Sequence, residues 1–166
     1  MPDRKTMERA AEDKREGKAP TTQAGEFVRE EMHHVREGKH GAASTKQAIA
    51  IGLSKARRAG VKLPPPKKGT ASEKTRKSAK RAVAAGARGP KPASPRRSRA
   101  IRAALKREGH TAASKSALAR QAKSAAHKRT AGQRSAAARK AAKTKGSSVR
   151  SAAGRKGART RARSTG

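Results

Sequence analysis

The side chains with chemistry to offer in this sequence are cations. From Gly38 to Gly166 there are 37 Lys or Arg and two carboxylates, Glu73 and Glu108, while the first 37 residues hold eight basic and nine acidic residues. The basic residues recur every few positions on an alanine-rich background. Arg96, Arg97, Arg99, Arg102, Lys106 and Arg107 come first, followed by Lys115, Arg120, Lys123, Lys128 and Arg129. Arg134, Arg139, Lys140, Lys143 and Lys145 come next, and Arg155, Lys156, Arg159, Arg161 and Arg163 close the series. Such a series neutralises phosphates, and each neutralised phosphate releases condensed counterions. Nucleic acid is therefore the expected partner, duplex DNA ahead of RNA.

The aromatic content sets the style of that binding. Single-strand readers stack bases on aromatic platforms, and here Phe27 is the sole aromatic residue. Sequence-specific groove readers need a stable scaffold to aim a few side chains. What remains is sequence-independent contact with the phosphate backbone.

Other chemistry finds less support. His33, His34 and His40, with Glu30, Glu31 and Glu37, have the residue types of a metal site. Neighbours on a helix point about 100° apart, however, so these read as solvated helix residues and no metal is expected. No scaffold holds a Ser or Thr against a base, so neither catalytic residues nor an enzyme is expected, and no cofactor or small-molecule substrate. Lys67-Lys68-Gly69-Thr70 lacks the upstream glycine of a phosphate loop. The absence of Cys removes disulfides and Cys-based zinc sites.

The elements that must position these groups are helical. Sixteen positions are large aliphatic, Met or Phe, and nine of them lie between Phe27 and Leu63. Residues 4–16 alternate in charge sign and predict a solvated helix that stops at Gly17. Ala24, Phe27, Val28, Glu31, Met32 and Val35 form a helical stripe over 24–37, ended by Gly38. Ser44-Thr45-Lys46-Gln47 is a capping box, opening a helix whose apolar face holds Ala48, Ile49, Gly52, Leu53, Ala56 and Ala59. Arg57 and Arg58 suit its last turn, and Gly60 ends it. Gly52 and Ala56, four residues apart, would let another backbone approach closely.

The expected fold is all-α, a small helical hairpin near the N-terminus followed by a largely disordered basic tail with short Ala-rich helices. The boundaries are a charged helix over 1–19, the hairpin over 20–63, a Pro/Lys linker over 64–71 and the basic tail over 72–166. Tail helices are expected at 72–85 and 95–108, with weaker ones near 112–130 and 133–145 and a loose final KGARTRARSTG. Phe27, Val28, Met32, Val35, Ile49, Gly52, Leu53 and Ala56 form the hairpin core, through which two copies could pair.

The hairpin also carries a resemblance. Lys46-Gln47-Ala48-Ile49-Ala50-Ile51-Gly52-Leu53-Ser54 and Ala56-Arg57-Arg58-Ala59-Gly60, preceded by a Met-His helix ending in Glu37-Gly38-Lys39, resemble a small bacterial domain of unknown function. Lys55 stands where that group usually has Glu. Its members are often labelled plasmid stabilisation proteins, and the resemblance implies a bacterial cytoplasmic origin with no catalytic residues. Ser94-Pro95-Arg96-Arg97 resembles the Ser-Pro-basic-basic turn of histone tails, and the basic tail is similar in composition to bacterial histone H1-like proteins.

The expected function is that of a nucleoid-associated, histone-like DNA-binding protein of the cytoplasm. The alternatives are an RNA- or ribosome-associated protein, or a plasmid-maintenance protein whose hairpin docks a partner. The longest hydrophobic interval, 48–53, is too short for a membrane span, and no membrane association is expected.

Overall fold

Glycines and prolines punctuate this chain, and helices fill the intervals. In the computed structural model these are α1 (Arg4–Arg15), α2 (Pro20–Arg36), α3 (Thr45–Arg58), α4 (Glu73–Ala87), α5 (Pro95–Lys106), a 3-10 turn (Thr111–Ala113), α6 (Lys115–His127) and α7 (Ala131–Ser164). The structure describes residues 2–89 and 94–164; for Thr144, Lys145, Ser147, Arg150, Arg161, Arg163 and Ser164 it describes the backbone alone. Among the described residues there is no strand. The chain divides into two compact units, Met1–Gln121 and Ala122–Gly166.

The first unit is built on α2 and α3. Pro20 sits in the first turn of α2, where its missing N–H costs nothing, so the helix begins before the Ala24 suggested by periodicity. The cap of α3 is the one the sequence spells out. Ser44 Oγ accepts the Gln47 N–H at 3.2 Å, and Gln47 Oε1 accepts from the Ala43 N–H at 2.8 Å, one residue beyond the usual capping-box partner.

Gly52 is where the two helices meet. A Cβ there would lie 2.7 Å from the Val28 Cα, so α2 of the same chain makes the close approach. Phe27, Met32, Val35 and Ala56 are buried, as is Gly52, and Val28, Ile49 and Leu53 pack partly buried against them. The candidate self-association residues are thus occupied by packing within one chain. Ala10 of α1 joins the Phe27, Ala56 and Leu63 cluster, so α1 is a packed helix on that side.

The expectation of a largely disordered tail is overturned. Helices α4 to α7 occupy most of the described residues beyond 72, and part of that region completes the core. Ala112 and Ala113 lie buried in one cluster with Met32, Val35, Ala42 and Ala48, and Leu118 packs against it. The backbone is tied as well. Gly41 N–H donates to the Leu105 carbonyl at 2.9 Å, and Ala42 N–H to that of Gly109 at 3.0 Å. Arg36 Nε donates to the Ala113 carbonyl at 2.8 Å, and Thr45 Oγ1 to that of Ala112 at 2.6 Å.

The physical reason lies in alanine. Counting large side chains misses it, yet Ala has the highest helix propensity and lets backbones approach without losing side-chain entropy. Ala79 and Ala82 of α4 are buried in the same way. Helix α4 also runs through Gly86, expected as its stop, because that residue lies against the Arg57 carbonyl oxygen with no room for a Cβ. Arg57 itself is buried, donating from Nε to the Leu63 carbonyl at 3.3 Å and from Nη2 to that of Pro64 at 3.1 Å. Burial holds its pKa below the usual arginine range.

The second unit contains the end of α6 and all of α7. No Pro follows Pro95, so no proline interrupts a helix formed on alanine propensity. The final block through Ser164, expected to be loose, is helical; Thr165 and Gly166 lie outside the described residues. Non-helical backbone at Gly146, with φ at 68°, kinks α7.

Candidate nucleic-acid interface

Helix α5 fully buries none of its residues, and Arg96, Arg97, Arg99, Arg102 and Lys106 are all exposed. Ser94 precedes it in extended geometry without a side-chain cap, and Pro95 opens the first turn, so the histone-like tetrad forms a helix start. Arg99, Arg102 and Lys106 follow one another at i, i+3 and i+7, which places three guanidinium or ammonium groups on one face over about 10 Å of helix. Arg107 is exposed just beyond.

Lys115 and Arg120 on α6 are exposed in the first unit. In the second unit Lys123, Lys128, Arg129, Arg134, Arg139, Lys140, Lys143, Arg155, Lys156 and Arg159 are exposed. Lys145, Arg161 and Arg163 lie on the backbone of α7, and their side chains are outside the described residues. From Ala122 to the end there are fourteen Lys or Arg and no Asp or Glu. Unlike an amphipathic helix, α7 has no apolar side to bury, and almost every described side chain on it faces solvent.

The two carboxylates of the basic region do little to offset this. Glu73 is bound by Arg76 of its own helix, at 3.0 Å and 3.2 Å. Glu108 is partly covered where its backbone meets Gly41. Phe27, the sole aromatic residue, is 1% exposed and can stack on no base.

A second polar group was misread from sequence. Glu30 and Glu31 are buried, and their side chains are 3% and 0% exposed. His34 and His40 are 12% and 17% exposed, whereas His33 and Glu37 face solvent as expected. Lys55 Nζ reaches Glu31 Oε2 at 2.7 Å and Glu30 Oε1 at 3.3 Å. His40 Nε2 lies 3.1 Å from Glu31 Oε1. The signal is present in the sequence, since Glu31 falls on the apolar stripe of α2 and Glu30 and Glu31 stand four and three residues before His34.

Among the described residues no helix is long and apolar enough to cross a membrane. No curated protein and no solved structure matches the chain. Residues 17–68, which hold α2, α3 and the three prolines, are similar to a family of unknown function, DUF6496, and the basic helices α5 to α7 lie outside that match.

Proposed function

We propose that this chain binds duplex DNA through its phosphates, without regard to sequence, and coats or bridges it as a nucleoid-associated protein. The observation that carries the reading is the exposure of helical cations that serve no packing. Residues 122–166 hold fourteen Lys or Arg and no Asp or Glu. Among the described residues eight of these cations are exposed on helices, and α5 adds five more without fully burying a side chain. A surface of one sign raises the local concentration of a polyanion and releases its counterions on contact. The buried Phe27 disfavours single strands, which are held by stacking.

The test is fluorescence anisotropy of the full chain with two unrelated DNA duplexes and a duplex RNA of equal length in dilute buffer. The two DNA sequences should bind alike, and more tightly than the RNA. A clear preference for RNA would replace this reading with an RNA-associated role, and no binding to any of the three would end it.

A further inference from the structure

Glu31, His34 and His40 in the first unit bring one ligand atom each to within 4.8 Å of one another. Glu31 and His34 are three apart on α2, and His40 lies just beyond its end. The carboxylate of Glu31 is wholly out of water, and neither of its oxygens has an aligned hydrogen-bond donor, although His40 and Lys55 lie within ion-pair distance.

The tautomer of His40 sharpens the problem. Its Nδ1 is 3.0 Å from the Gly41 carbonyl oxygen, which can only accept, so Nδ1 carries a proton. In the neutral ring Nε2 is then a lone pair facing the Glu31 Oε1 lone pairs. Glu30 and Glu31 bring two negative charges and Lys55 one positive, so one positive charge is missing from a buried place. A proton on Nε2 could supply it, but a proton serves two atoms and here three donors converge. A ligating imidazole held by a backbone carbonyl through its other nitrogen is the usual outer-shell arrangement of a metal site.

We propose that Glu31, His34 and His40 bind a divalent transition-metal ion of the zinc class. Two imidazoles and one carboxylate select such an ion over calcium or magnesium, which take oxygen ligands. The ring of His34 stands edge-on to that of His40, with centroids 6.1 Å apart. Its Nε2 and Nδ1 lie 3.4 Å from Asp3 Oδ2 and 3.9 Å from Glu30 Oε1. To ligate, one of these nitrogens exchanges its carboxylate for the ion, and Asp3 or Glu30 steadies the other. A groove lined by Asp3, Glu30, His33 and His34, with Arg4, Lys5, Arg9, Arg29 and Lys39 also on its walls, opens to solvent beside this histidine. Lys55, 21% exposed on its four-carbon stem, retracts toward solvent as the ion takes over its charge.

The test is titration of the full chain with Zn2+ against a chromogenic chelator, with Co2+ absorption reporting the coordination. Wild type should bind one equivalent, with the intense visible bands of four-coordinate Co2+. His40→Ala and His34→Ala should each weaken binding by about 100-fold or more, while His33→Ala at the exposed neighbour should leave it unchanged. Lys55→Gln removes the competing ammonium and should tighten binding about 10-fold by relieving like-charge repulsion. Lys55 also neutralises the buried Glu30 and Glu31, so every variant is checked for folding by circular dichroism. Stoichiometric binding by wild type decides the matter if a variant fails to fold. Equal binding by the His33, His34 and His40 variants, or no stoichiometric binding by either wild type or Lys55→Gln, would overturn the proposal.

Discussion

Alanine is abundant in both units of this chain, and the two use it in opposite ways. In the first unit part of the alanine lies in the core, at Ala24, Ala48, Ala56 and Ala113 to 0% exposure, and there it sets how closely helices approach. In α7 alanine faces water and contributes backbone propensity, holding Lys and Arg apart along a rod. Charge divides the same way. The first unit pairs its carboxylates with Lys18, Lys55 and Arg76, whereas beyond Ala122 the sequence holds no Asp or Glu. One residue type therefore makes a core in one place and a scaffold for cations in the other, and the difference lies in where large apolar partners such as Phe27, Met32 and Val35 are available.

The comparison breaks most visibly if the cations of the second unit are removed. Changing the fourteen Lys and Arg from residue 122 onward to Gln should weaken duplex binding in dilute buffer by about 1000-fold or more. Urea unfolding of the first unit should not move. A loss of its stability would mean that the units are not energetically separate.

A smaller effect tests the core's reach into the tail. Ala113→Glu places a charge at a site with 0% exposure beside Met32 and Val35, and should destabilise the first unit by about 3 kcal/mol or more. An unchanged urea midpoint would show that residues 111–118 do not close the core. Gly52→Ala should cost about 1–3 kcal/mol by forcing α2 and α3 apart. Least of all, Ser44→Ala should cost about 1 kcal/mol through the lost cap of α3, read from the same denaturation curve.

These effects follow what could and could not be read in advance. The capping box at Ser44 and Gln47, and the stripe through Phe27, Met32 and Val35, are local patterns with a fixed period, and the helices form where they point. The docking of Ala112 and Ala113 is not local. Thr45 meets the Ala112 carbonyl across 67 positions of sequence, and alanine carries no hydrophobic period that would announce such a contact. Glu30 and Glu31 misled for a related reason. A carboxylate is ordinarily solvated, and the Lys55 that permits their burial comes from another helix. Of helix α7 only a weak stretch near 133–145 is expected from sequence, because its residues lack an apolar face, although propensity carries the helix on to Ser164. The cations were legible throughout, since charge is counted and needs no partner.

The central claim is that exposed helical cations make this chain a counterion for duplex DNA. The measurement that reaches it most directly is the slope of log K against log salt concentration for the full chain on duplex DNA. With about ten phosphates neutralised, the slope should be about −9. A slope near zero would contradict the account, because binding would then owe little to phosphate.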